Sequence, residues 1–133
     1  MGRLSGQIVV VTGGASELGE GIVRRLAQED AALVIADINE VKAVKLAESL
    51  RDQGMRALGV GVDVAHRDQM RAMVVSVANR SGGIDVLFNN AGFKKPVPFM
   101  DVDKNNFDGI MSVNAFLVLV GVQEVGRHMK QRG

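Results

Sequence analysis

Short apolar runs alternate along this chain with segments whose apolar residues recur every three or four positions. The runs at residues 8–11, 33–36, 57–62 and 84–88 predict four strands. None shows the strict alternation of a half-exposed strand, so burial on both faces of a parallel sheet is predicted. The helical spacing is carried by four sets of residues: Leu18, Ile22 and Leu26; Ala43, Leu46, Ala47 and Leu50; Met70, Met73, Val74 and Val77; and Phe107, Ile110, Val113, Asn114 and Leu117.

Strands and one-sided helices in strict alternation predict an open α/β fold with right-handed crossovers. The chain has no internal repeat and no low-complexity tract, so we expect one domain over residues 1–133. The longest connection, residues 92–105, contains both prolines and is a candidate substrate-side segment.

Composition excludes several classes of function. Lys and Arg number 16 against 15 for Asp and Glu, which argues against charge-driven binding of nucleic acid or of a membrane surface. Cysteine is absent, and His66 has no second ligand nearby in the sequence, so no metal site is predicted. The longest strictly apolar run, residues 115–120, is too short to cross a bilayer. The first residues do not form a signal peptide, and we expect a soluble cytoplasmic protein.

A glycine-rich turn follows the first strand, in the sequence QIVVVTGGASELGEG at residues 7–21. Glycines here permit a tight bend, and the N-terminus of the next helix favours an anionic group. Asp37 ends the second strand 24 residues after Gly13, at the interval expected for an acid that binds a ribose. Together these features predict a binding site for a diphosphate-containing dinucleotide.

Further motifs occur in a fixed order along the chain. They are Thr12-Gly13 with Leu18-Gly19, then Asp37, Asp63-Val64, Asn89-Asn90-Ala91-Gly92 and Asn114. The series resembles the short-chain dehydrogenase/reductase family, and the NNAG tetrapeptide is its most specific element. The resemblance covers residues 6–129 and implies a Rossmann-type doubly wound parallel sheet, truncated, with strand order 3-2-1-4.

The resemblance also implies a role for each matching residue. The pyrophosphate and ribose would be lined by Gly13, Ser16, Leu18 and Gly19. The adenosine ribose would be bound by Asp37, and the adenine would be framed by Asp63 and Val64. The nicotinamide ribose would be flanked by Asn90, Ala91 and Gly92. Asn114 would match the catalytic helix asparagine that shapes a proton-relay water.

Charge favours NAD over NADP as the cofactor. Readers of NADP usually place a basic residue in the glycine turn or after the second strand, where this chain has Ser16, Glu17 and Asp37. A 2′-phosphate beside Asp37 would be repelled at short range. The substrate is a small molecule that these residues do not identify.

Glu17 departs from the family pattern, which has glycine at this position. A carboxylate about 5 Å from a phosphate, at an effective dielectric near 20, is repelled by about 3 kcal/mol before solvent screening. We therefore expect weakened NAD affinity. The alternative reading is that Glu17 stabilises the helix without cofactor, and both readings can hold together.

The second departure concerns catalysis. In the family, a serine and a Tyr-x-x-x-Lys helix carry proton transfer, but this chain has no tyrosine and ends at Gly133. We expect the dinucleotide half alone, with weak or absent redox activity and with Asn114 vestigial. A less favoured reading is an oxidoreductase that uses Lys94, Lys95 or residues from a partner chain as its acid.

Two apolar surfaces predict self-association. In the family the fourth strand pairs with a fifth, so residues 84–88 would form an exposed apolar edge. The fourth helix is apolar on more than one face and needs burial. We expect a homo-oligomer through this edge and helix. The alternative function is a non-enzymatic oligomerising protein that kept the fold and lost the cofactor.

Overall fold

The computed structural model describes residues 1–92 and 96–133, and its helices and strands alternate as expected. The order is β1 (Ile8–Thr12), α1 (Glu17–Gln28), β2 (Ala32–Asp37), α2 (Glu40–Asp52), β3 (Ala57–Gly61), α3 (Arg67–Ser81), β4 (Val86–Phe88), a short 3-10 turn (Phe99–Asp101) and α4 (Lys104–Arg132).

The four strands form one parallel sheet in the order β3-β2-β1-β4. The fold class predicted from the sequence is therefore confirmed. In the central strand β1, Val9, Val10 and Val11 are all fully buried, because helices cover both faces of the sheet. Parallel pairing places the carboxyl ends of all four strands along one edge, where the connections to the helices begin.

The core has two layers, one on each face of the sheet. One layer packs α1 and α2 against the odd-numbered strand residues, with Val23, Ala27, Ala43, Leu46, Ala47 and Leu50 against Val9, Val11, Leu33 and Ile35. The other packs α3 and α4 against the even-numbered residues, with Met70, Met73, Val74, Val77, Val120 and Val125 against Val10, Val34 and Ala36. Met70 and Met73 are core residues, as predicted from their spacing.

The fourth strand is shorter than predicted. It spans Val86–Phe88 rather than residues 84–88. The Ile84 N–H donates to Nε2 of His128 at 3.2 Å, and the Asp85 carboxylate accepts the Ile8 N–H at 2.8 Å. His128 thus joins the end of α4 to the segment that leads into β4.

Helix α4 begins at a reciprocal capping arrangement, in which the Asp103 carboxylate accepts from the Asn106 N–H and the Asn106 side chain accepts from the Asp103 N–H. Its buried residues are Leu117, Val120, Gly121, Glu124 and Val125. By length and composition alone, α4 is apolar enough to cross a membrane. In the structure, α4 packs against α3 and β4.

Candidate functional site

The glycine turn between β1 and α1 is too crowded for larger residues. Gly13 has φ +62°, and a Cβ on it would lie 2.9 Å from the Ala91 Cα. A Cβ on Gly14 would lie 2.9 Å from Cγ2 of Ile35, and a Cβ on Gly19 would clash with the Gly13 carbonyl oxygen. These contacts hold α1 close to the sheet edge.

Two backbone donors at the start of α1 remain open to a ligand. The Ser16 hydroxyl accepts from the Gly19 N–H at 3.1 Å and donates to the Gly13 carbonyl at 2.7 Å. Among the described residues, no acceptor bonds the N–H groups of Glu17 and Leu18. Free N–H groups at a helix N-terminus attract anions, so this turn can hold a phosphate.

Glu17 is the first residue of α1 and has ordinary helical backbone geometry. Its side chain is exposed and makes no ion pair in the described part of the chain. The substitution of glycine therefore does not strain the turn. However, the N–H of Glu17 is one of the two open donors, so its carboxylate lies close to any anion bound there. The neighbouring Leu18 is 70% exposed.

Asp37 is fixed at the carboxyl end of β2. One carboxylate oxygen accepts from the Ala15 N–H at 3.0 Å, and the other accepts from the Asn39 N–H at 2.9 Å. A carboxylate oxygen can accept more than one hydrogen bond, so each retains capacity for a sugar hydroxyl. The hydrogen bond to Ala15 also ties Asp37 to the glycine turn.

Asp63 and Val64 follow β3 at the same edge. Asp63 accepts from the Ala65 N–H at 3.0 Å and lies 3.0 Å from Nδ1 of His66. Val64 lines a small cleft together with Thr12 and Ala91. His66 belongs to no metal-binding group among the residues that the structure describes.

The Thr12 side chain joins the glycine turn to the NNAG segment. Its buried hydroxyl accepts from the N–H groups of Asn90 and Ala91, each at 3.2 Å, and donates to the Phe88 carbonyl at 3.4 Å. The Asn90 side chain donates to the Gly13 carbonyl at 3.0 Å. The turn expected to hold the pyrophosphate and the segment expected to flank the nicotinamide ribose are thus brought together.

Helix α4 approaches the same edge through a glycine. A Cβ on Gly121 would lie 2.5 Å from Oδ1 of Asn89, so only a glycine allows this approach without a shift. Further along, a Cβ on Gly92 would lie 3.4 Å from Oδ1 of Asn114. The structure therefore places Asn114 beside Gly92 of the NNAG segment. Lys94 and Lys95 lie outside the described residues.

A charged cluster between α3 and α4 was not predicted from the sequence. The buried Glu124 of α4 pairs with Arg67 at 2.8 Å, Arg71 at 3.2 Å and Arg127 at 3.3 Å. Hydrogen bonds from Arg71 and then Arg67 hold the pKa of Glu124 below its usual value. Two of these arginines come from α3, so the cluster fixes α4 to α3. Pairs separated by more than fifty residues leave no local pattern in a sequence.

Comparison with curated proteins gives a consistent result. The chain is 34% identical over 131 residues to 3beta-hydroxysteroid dehydrogenase 2 of Eggerthella lenta, covering 98% of this chain and 50% of that protein. It is 31% identical over 129 residues to 5-keto-D-gluconate 5-reductase of Escherichia coli K12, covering 97% of this chain and 51% of that one. The chain spans about half the length of the curated relatives it matches.

A solved structure agrees with these relatives. The crystal structure of gox2181 superimposes with a TM-score of 0.88 at 31% identity, covering 98% of this chain and 51% of that one. The sequence profile described as short chain dehydrogenase matches residues 7–133. On this evidence the chain belongs to the short-chain dehydrogenase family, whose members are oxidoreductases that typically bind NAD or NADP.

Proposed function

We propose that this chain is an NAD-binding module of a short-chain oxidoreductase. The observation that carries the proposal is the pairing, at one sheet edge, of two open N–H donors with a fixed carboxylate. The donors are those of Glu17 and Leu18, and the carboxylate is that of Asp37. The hydrogen bond from Ala15 to Asp37 sets the spacing between the phosphate-binding turn and the ribose-binding acid.

Each group of residues at this edge of the sheet would bind one part of a dinucleotide. The N-terminus of α1 would hold the pyrophosphate, and Asp37 would accept hydrogen bonds from the adenosine ribose. Val64 and Asp63 would border the adenine, while Asn90, Ala91 and Gly92 would border the nicotinamide ribose. Gly13 and Gly19 would let the pyrophosphate approach the backbone.

When bound, the nicotinamide supplies hydride transfer. The residues of this chain bind and orient it, with Asn114 beside Gly92 at the nicotinamide end. A positioned acid contributes about 10²–10⁴-fold to such reactions, and this chain has no tyrosine to act as the family's acid. We propose that turnover by this chain alone is weak or absent, with Asn114 vestigial.

NAD is favoured over NADP because Asp37 would lie close to a 2′-phosphate and repel it. Calorimetric titration with NAD tests the proposal. We expect saturable heat and a rise in melting temperature, both reduced in Asp37→Ala. No heat and no thermal shift at millimolar NAD would overturn the proposed function.

The second candidate function is a non-enzymatic oligomer that has lost the cofactor. Two observations favour it: the carboxylate of Glu17 beside the open donors, and the exposed apolar surface of α4. That surface carries Phe107, Met111, Phe116, Val118, Leu119 and Val122, each at least 43% exposed. A helix that is apolar on several faces needs burial, and a second copy of this chain would provide it.

Sedimentation tests the proposed self-association. We expect a defined oligomer at micromolar concentration, weakened by Leu119→Ser. A monodisperse monomer would contradict it. The cytoplasmic location and the absence of nucleic-acid and membrane partners remain predictions from composition.

A further inference from the structure

A second carboxylate lies beside Asp37 at the edge of the sheet. Glu40 is the first residue of α2, and its side chain folds over Gly61 at the end of β3. A Cβ on Gly61 would lie 2.8 Å from Oε2 of Glu40 and 2.8 Å from its Cβ. The Glu40 carboxylate thus occupies the space that a side chain at position 61 would fill.

This placement puts Glu40 on the same face as Asp37. Asp37 pairs with Gly61 in the register of β2 and β3. Residues paired across neighbouring strands direct their side chains to the same face, and the strands are about 4.8 Å apart. The side-chain space of Gly61, where the Glu40 carboxylate lies, is therefore one strand away from the Asp37 side chain.

Neither acid is neutralised by its surroundings. Within the described residues, no Lys, Arg or His lies at ion-pair distance from Asp37 or Glu40. Asp37 is held by two backbone N–H groups, whereas the exposed Glu40 side chain accepts no hydrogen bond from any of the described residues. Glu40 is thus free to act on a ligand through its charge.

We propose that Glu40 is a second specificity-determining residue, which excludes a 2′-phosphate from the ribose held by Asp37. The inference rests on the proposed NAD-binding function. Asp37 both accepts from the ribose and repels the phosphate, so it cannot be removed without losing NAD as well. Glu40 acts by repulsion alone, and its removal leaves the hydrogen-bonding acid in place.

Calorimetric titration of wild-type chain and Glu40→Gln with NAD and with NADP tests this. We expect Glu40→Gln to keep its NAD affinity and to bind NADP about three- to tenfold more tightly at low salt. The gain should shrink between about 20 mM and about 0.5 M NaCl, because salt screens exposed charges. A purely structural role of Glu40 at the start of α2 would change both affinities together, without this salt dependence.

Glu48→Gln is the matched control, since Glu48 is an exposed residue of the same helix two turns further on. It should leave both affinities unchanged. NAD binding with an unaltered NAD-to-NADP ratio in Glu40→Gln overturns the role of Glu40 and leaves the proposed function standing. Absence of binding by either dinucleotide overturns both.

Discussion

Replacing Glu17 separates the charge of this residue from its bulk. Glu17→Gln removes the charge and keeps the size, while Glu17→Gly also removes the Cβ. The residue is exposed and unpaired within the described chain, and its N–H is one of the two open donors. Its side chain should therefore act mainly on a bound anion rather than on the fold.

The expected size of the effect follows from the geometry of the helix start. A phosphate bonded to the Glu17 N–H would lie about 6 Å from the carboxylate, and an exposed site has an effective dielectric of about 40–80. The repulsion is then about 0.7–1.4 kcal/mol, so Glu17→Gln should bind NAD about three- to tenfold more tightly. Glu17→Gly should match or exceed this if the Cβ also crowds the pyrophosphate.

Calorimetric titration at low and high salt measures both effects. The gain in Glu17→Gln should fall at high salt, whereas a gain from relieved crowding should persist. Without cofactor, both variants should melt about 1–4 °C lower, because an acid in the first turn stabilises a helix by about 0.3–1 kcal/mol. Glu48→Gln again serves as the control.

Unchanged NAD affinity in both Glu17 variants would refute the reasoning. It would mean that no phosphate contacts the start of α1. Tighter binding that persists in high salt in Glu17→Gln would also contradict it, since the argument for this variant depends on charge.

Three further predictions concern stability. Gly19→Ala should lower the free energy of unfolding, measured with urea, by about 1–3 kcal/mol, because the new Cβ would clash with the Gly13 carbonyl. The control Gly21→Ala should not destabilise the protein, because a Cβ there has no neighbour within 4 Å. Equal urea midpoints for the two variants would contradict this. Glu124→Gln should lower the free energy of unfolding by about 1–2 kcal/mol, because it leaves three partly exposed arginines around a neutral amide. An unchanged urea midpoint would show that the cluster does not hold α4 in place. Hydrogen bonds from Arg3 and Arg25 lower the pKa of Glu29 to about 2, so the ionised carboxylate stabilises the fold fully above pH 4.5 and this stability is lost as the pH falls toward 2. Glu29→Gln should lose this part of the dependence of stability on pH. A pH profile of unfolding identical to that of the wild type would refute the prediction.

The sequence predicted the strands and helices because the spacing of apolar residues is a local feature of a chain. The strand order came from the resemblance to the family. The apolar run at residues 8–11 forms a strand buried on both faces, and Met70 and Met73 lie on the buried face of a helix, as their spacing predicted. The glycine turn and Asp37 were also predictable, because their spacing along the chain reflects one strand–helix–strand unit.

The features that the sequence could not predict depend on distant contacts. Nothing near Ile84 in the sequence indicates that its N–H bonds to His128, which lies 44 residues further along the chain. Glu124 sits in an apolar helix without a local partner for two of its arginines. Glu40 acquires its place only because Gly61, which is paired with Asp37, leaves room for it.

One buried hydroxyl links the turn that we propose to hold the pyrophosphate to the segment that we propose to border the nicotinamide ribose. Because Thr12 binds the backbone of Asn90 and Ala91 and lies next to Gly13, neither loop can shift without breaking its hydrogen bonds. The two loops therefore move as a single unit, and binding a dinucleotide would not require each loop to lose conformational entropy separately. Exposed residues on either loop can then be substituted without changing the hydrogen bonds of Thr12 that hold the two loops together.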